Sequence, residues 1–130
     1  MSSTVILNTI LLQDTTGIYS FEMVDQNGAA IDVSQLETIT LTYYDKETRQ
    51  IINTREAKNI LQANNVIITT VAGPPIVTTL RWEIQQEDTI IIDARRELET
   101  HIALFEWTWA TTRKGVHEVQ FQIESILYVS

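Results

Sequence analysis

Thr38-Ile39-Thr40-Leu41-Thr42-Tyr43 alternates hydroxyl and apolar side chains without a break. Successive residues of a strand point to opposite faces, so Ile39, Leu41 and Tyr43 share one face and the three threonines share the other. That is the pattern of an antiparallel strand with one face in a core and one toward water. Residues 118–124 repeat it, with Val119, Phe121 and Ile123 alternating against Glu118, Gln120, Gln122 and Glu124.

Composition extends the reading to the whole chain. Ile and Thr occur 18 times each and Val 9 times, so 45 of 130 residues are β-branched and favour strands over helices. Further strands are predicted at 5–12, 18–24, 65–71, 76–84 and 101–110. Turn chemistry separates them at 25–28 (Asp-Gln-Asn-Gly), 45–48, 73–75 (Gly-Pro-Pro) and 112–115 (Thr-Arg-Lys-Gly). One short helix is predicted over 54–64, where Ala57, Ile60 and Leu61 fall at helical spacing and Asn53 with Glu56 resembles a capping box. Residues 85–89 read as a single further turn, and 93–100 as a charged connection. With no repeat, linker or composition break, residues 1–130 are expected to form one domain.

Charge and residue usage narrow the function classes. Nine Lys and Arg against 17 Asp and Glu give a net charge of −8, which repels nucleic-acid phosphates and anionic membranes. The absence of Cys removes disulfides, thiolate catalysis and Cys-ligated metals. No Lys or Arg precedes Lys46, and Asn8 and Thr9 interrupt the apolar stretch at 5–12, so neither a signal peptide nor a membrane span is expected.

Reactive constellations are sparse. His101 follows Glu99 at a spacing that puts both on one strand face, and His117 adjoins Glu118; in outline these are zinc ligands, but a third clustered ligand is missing, and the plainer reading places both histidines at the surface or rim. The pairs Glu87/Asp88 and Glu97/Glu99 suggest paired catalytic carboxylates or a calcium site, yet no D-x-D-x-D-G loop accompanies them and a solvated acidic rim accounts for them. No Gly-x-Ser-x-Gly elbow occurs, and none of the four glycines is arranged to cradle phosphate. The chain is therefore read as non-enzymatic, without metal or cofactor.

Aromatic residues and chain ends carry more information. Within 101–110, Ala103, Phe105, Trp107 and Trp109 share one face while Ile102 and Leu104 occupy the other, which predicts a central strand. Trp82, Phe105 and Trp107 are expected to meet in the core; alternatively, Trp107 and Trp109 form a stacking platform for sugar rings. Both ends are apolar on both strand faces. Ile6, Ile10 and Leu12 in the 1–13 segment, and Ile126, Leu127 and Val129 in 125–130, are the candidate assembly contacts, to be covered by a partner chain through strand addition or to serve as outer strands of the same sandwich.

The stretch Leu80-Arg81-Trp82-Glu83-Ile84-Gln85-Gln86-Glu87-Asp88-Thr89 resembles the strand-then-turn signature of immunoglobulin-like sandwiches, without their cysteine pair and with Ile92 where a tyrosine-corner residue is expected. The order of 39–48, 80–89, 101–109 and 114–119 resembles small immunoglobulin-like modules of tailed-bacteriophage virions, found in baseplate, tail, neck and capsid-associated proteins. The resemblance spans residues 20–125. It implies an all-β, immunoglobulin-like antiparallel sandwich, made in the host cytoplasm and residing in the virion. Its implied partners are other virion proteins or copies of itself. A carbohydrate-binding module of a phage adhesion device is the alternative.

Overall fold

The computed structural model describes residues 4–24, 36–53, 55–56, 58–60, 66–71, 77–92, 96–109 and 113–125. Their strands are β1 (Thr4–Leu12), β2 (Gly17–Glu22), β3 (Leu36–Asp45), β4 (Lys58–Asn59), β5 (Val66–Val71), β6 (Val77–Ile84), β7 (Leu98–Trp109) and β8 (Arg113–Glu124). A single 3-10 turn at Gln86–Asp88 follows β6, where a turn is predicted.

Two sheets face one another. One has the order β1-β8-β7-β3-β4 and the other β2-β6-β5. Apart from β1, the central strands β3, β7 and β8 and all three strands of the smaller sheet pair antiparallel. Taking β2, β3, β5, β6, β7 and β8 as strands B to G, the orders B-E-D and G-F-C are those of an immunoglobulin-type sandwich. The first strand departs from the constant-domain arrangement: β1 lies parallel against β8 in the larger sheet instead of beside β2. The expected antiparallel sandwich is observed, with the β1–β8 ladder as its parallel pair among the described strands.

Alternation in the sequence becomes the core. Ile39, Leu41 and Tyr43 from β3, Phe105 and Trp107 from β7, and Val119, Phe121 and Ile123 from β8 are buried against Phe21, Leu80, Trp82 and Ile84 of the opposite sheet. Trp82 is the ring that joins the layers. It meets Tyr43 and Phe105 edge-on, with centroids at 5.4 and 5.7 Å, and tilts against Phe121 at 6.3 Å. These are the offset and edge geometries that a ring quadrupole favours. As predicted, β7 is central, flanked by β8 and β3, and buries Ile102 on its second face as well.

Among the described residues of the segment 54–64, namely 55, 56 and 58–60, the predicted helix is absent. Backbone groups in and just before this segment bond instead to β3: Ile52 N–H donates to the Tyr43 carbonyl, Tyr43 N–H to the Arg55 carbonyl, and Ile60 N–H to the Ile39 carbonyl. Lys58–Asn59 completes the edge as β4. A main-chain group paired across a sheet edge is not available to a helical ladder, so a weak local preference yields to a tertiary one. The turn predicted at 112–115 is also displaced, because β8 begins at Arg113 and Gly115 pairs with Trp107 inside the β7–β8 ladder. Turns predicted at 25–28 and 73–75 lie outside the described residues.

Gly115 has a packing reason. A Cβ built there would meet the Trp107 indole at 2.4 Å, so the ring lies directly over the glycine backbone. Gly115→Ala is expected to cost about 1–3 kcal/mol by overpacking, and Trp107→Ala about 3–5 kcal/mol by the cavity it leaves. Thermal unfolding of both variants checks this; unchanged melting temperatures would contradict the packing.

Candidate functional site

Two arrangements differ from ordinary sandwich structure: an exposed apolar row on β1 and a chain of buried ionic groups at one end of the sandwich.

Strand β1 is the outermost strand of its sheet. Val5, Leu7 and Leu11 turn inward and pack against the core, whereas Ile6, Ile10 and Leu12 remain 70%, 44% and 41% exposed. In register, Ile6 lies beside Gln120, Ile10 beside Gln122 and Leu12 beside Glu124 of β8. Leu98, itself exposed on β7, flanks Glu124 from the other side. The ladder is irregular between Ile6 and Ile10, where three β1 residues stand against the single residue Phe121. Asn8 and Thr9, the residues that interrupt the apolar pattern in the sequence, fall in that bulge, which divides the edge into two short regular pieces.

The buried network starts at Asp88, which is fully buried with its carboxylate wholly engaged. Arg55 donates to both oxygens at 2.6 and 3.0 Å, Asn53 donates to Oδ1 at 2.9 Å, and Gln85 N–H donates to Oδ2 at 2.9 Å. The Asp88 carbonyl accepts the Tyr43 hydroxyl at 2.7 Å, and that hydroxyl also lies 3.0 Å from His101 Nδ1. His101 Nε2 is 3.0 Å from Glu99 Oε1, which accepts the Ile92 N–H at 2.7 Å. Arg96 closes the chain, reaching Glu99 at 2.8 Å, Asp45 at 3.2 Å and Glu47 at 2.9 Å. A neutral His101 has one N–H. If it serves Glu99, the single Tyr43 proton faces two acceptors, of which the carbonyl is the nearer.

Burial determines how these groups titrate. Burial, reinforced by the Asp88 charge, pushes the Tyr43 phenol well above its ordinary range. Burial pushes His101 below the usual histidine value, opposed by the Glu99 carboxylate, and burial likewise lowers His117. For Asp45 burial alone would raise the carboxyl, but hydrogen bonds from Thr48 and Arg96 outweigh it and hold it below its ordinary value. Asp45 Oδ1 is buried without a hydrogen-bond partner among the described residues.

Several sequence expectations are corrected here. His101 is fully buried, not at the rim, and His117 is half-buried under Phe21, whose ring stacks on it at 4.0 Å, with the Tyr19 hydroxyl 2.6 Å from its Nε2. Asp88 and Glu99 are buried and hydrogen-bonded instead of forming a solvated acidic rim; their neighbours Glu87 and Glu97 are exposed. The shared face of Glu99 and His101 is observed, and Asp45, the cross-strand partner of His101, supplies the third ligand that sequence spacing could not reveal. Ligand atoms of the three lie within 4.8 Å of one another. Arg96, however, already bonds both carboxylates, so the arrangement works as an ion-paired clasp between β3 and the start of β7.

Of the predicted contact residues, Ile6, Ile10 and Leu12 form the exposed row on β1. Ile126, Leu127 and Val129 lie outside the described residues. Trp107 and Trp109, the candidate sugar platform, are only 2% and 5% exposed. Stacking on a sugar needs an open ring face, and neither indole presents one. Missed by sequence reasoning were Arg55 and Arg96, since a lone arginine in a connection carries no periodic signal. The sequence matches no known family model and no curated protein.

Two outcomes follow. Arg55→Met is expected to cost about 3–5 kcal/mol because it leaves the Asp88 charge buried without its partner, and adding Asp88→Leu should recover part of the loss; denaturant titration of the single and double variants measures both. Stability should also fall in mild acid. An unfolded histidine binds its proton near pH 6.5, whereas folded His101 and His117 resist protonation, so the stabilisation is complete above about pH 6.5 and is lost as the pH drops below it. Melting temperatures at about pH 7.5 and about pH 5.5 test the sign.

Proposed function

We propose that this chain is a non-enzymatic structural or accessory protein of a tailed-bacteriophage virion, docking onto a head, neck or tail assembly through protein–protein contacts. The observation that carries the docking part is the row Ile6, Ile10 and Leu12, exposed on the outermost strand of a sandwich whose inner face is otherwise well packed. A free sheet edge leaves backbone donors and acceptors open to another strand, and an apolar row beside it is solvated poorly. The virion setting rests on the resemblance of residues 39–48, 80–89, 101–109 and 114–119 to phage modules.

A non-enzymatic role is supported by the disposition of the titratable groups. Asp45, Asp88, Glu99 and His101 are buried in mutual hydrogen bonds and ion pairs, facing the protein interior where no substrate reaches them. A catalytic acid or base has to reach the proton it transfers. Here the same residue types fasten strands together. Other virion proteins or further copies of this chain are the partners in this reading, and the apolar segment with Ile126, Leu127 and Val129 is a second contact.

The test is incorporation. Ile6→Lys, Ile10→Lys and Leu12→Lys, combined in one chain, should leave the melting temperature within a few degrees of the parent, because all three side chains are exposed. The same change should abolish recovery of the chain in gradient-purified particles, quantified by mass spectrometry. Deleting residues 126–130 should likewise reduce incorporation while the sandwich stays folded. Parental levels of both variants in particles would refute the docking role.

A further inference from the structure

The surface around the lower half of β1 specifies what docks there. Below the bulge, Ile10, Leu11 and Leu12 run in regular register with Gln122, Ile123 and Glu124, and the ladder continues as Gln13 N–H donates to the Glu124 carbonyl. This is the second of the two regular pieces of the edge, with Ile10 and Leu12 pointing outward. Beside Leu12 stands Glu124. Glu97 precedes Leu98 and is drawn to the same corner by its carbonyl, which accepts the Ser125 N–H, and exposed Asp14 follows two residues after Leu12. Among the described residues, none of Asp14, Glu97 and Glu124 has a salt-bridge partner. The edge is thus apolar at its centre and bordered by uncompensated carboxylates, on a chain of net charge −8.

Resting on the docking role proposed above, we infer that the Ile10–Leu12 edge accepts an extended strand of a basic partner protein, one whose apolar side chains alternate with Lys or Arg. Backbone hydrogen bonds to the side of β1 that no described strand occupies supply the pairing. Apolar side chains of the added strand lie against Ile10 and Leu12, and long basic ones reach over the edge to Glu124 and Asp14. A second copy of this chain fits the same edge poorly. Joining two copies would bring together two chains that each carry a net charge of −8, at an edge that is itself bordered by acidic groups.

The full chain is titrated with three synthetic peptides of about eight residues: alternating valine–lysine, alternating valine–glutamate, and the valine–lysine peptide N-methylated at every second residue. N-methylation keeps the charge and side chains but removes the amides that would face β1. The valine–lysine peptide should bind at least about tenfold more tightly than either control, with affinity falling as salt is raised to about 0.3 M. Ile10→Lys, which leaves the fold intact by its melting temperature, should lower that affinity about tenfold, and Glu124→Gln should weaken it less. Equal binding of the N-methylated peptide would mean adsorption by charge alone and would overturn the inference. So would a concentration-dependent dimer in sedimentation that Ile10→Lys abolishes, since the occupant would then be a second copy. The two readings fail separately: if Ile10→Lys prevents particle incorporation while the valine–lysine peptide does not bind, docking stands and the basic strand is wrong, whereas normal incorporation of that variant removes docking itself.

Discussion

A carboxylate with no access to water governs how one end of this sandwich is built. Asp88 sits on the turn after β6, and an ionised group in that position is tolerable only if donors surround it. Arg55 supplies two hydrogen bonds and the balancing charge, while Asn53 and the Gln85 amide supply the rest. Gln50, Ile52, Arg55 and Ile60 are held along β3 by backbone hydrogen bonds, which places Asn53 and Arg55 to deliver them. The same constraint places the Arg55 guanidinium over the Trp82 ring at 5.9 Å, so the ion pair and the ring that joins the two sheets are in contact. Nothing in the local preferences of residues 54–64 requires that course; the charge at residue 88 does.

Tyr43 carries the constraint further. Its hydroxyl touches both the Asp88 carbonyl and His101, so a continuous polar path runs from Arg55 and Asp88 through Tyr43, His101 and Glu99 to Arg96 and Asp45. In immunoglobulin domains a tyrosine of the E–F corner makes a hydrogen bond within that turn. Here Ile92 stands in that region, its amide held by Glu99, and the bond to the turn comes from the opposite side, from Tyr43 on β3. The function of fastening the corner is kept with a different donor. Because each group in such a path depends on the next, the loss of one member leaves a neighbour buried and unpaired.

The buried network at one end leaves the β1 edge as the surface on which the proposed docking rests. The polar residues that might have signalled chemistry are consumed in holding β3, β7 and the turn after β6 together, and the surface that remains distinctive is apolar and lies on β1. A bulge shortens the regular edge, which limits indiscriminate pairing along its whole length while leaving Ile10, Leu11 and Leu12 in regular register. In the docking proposed here, acidic groups at its border select for a basic strand. Specificity in this arrangement comes from charge around a short pairing site, with affinity supplied by backbone hydrogen bonds and a few apolar contacts.

The sequence by itself determined the core and the strands other than β4. Alternation at 38–43 and 118–124 names the buried face residue by residue, because a period of two has only two phases and only one phase of each segment is apolar. The two-sided apolarity of residues 101–105 likewise announced a central strand, and the exposed row on β1 is legible as three aliphatic residues in a segment too apolar for one buried face. Tertiary structure alone decided the rest. That Asp88 would need Arg55, that Asp45 would face His101, and that β1 would run parallel to β8 depend on groups far apart in the chain, and a buried charge or a sheet edge is satisfied by whatever the fold brings near it. The helix expected over 54–64 was lost for that reason: a local preference of a few tenths of a kcal/mol per residue, about the scale of helix propensities, yields to a buried ion pair that the folded chain cannot leave unmade.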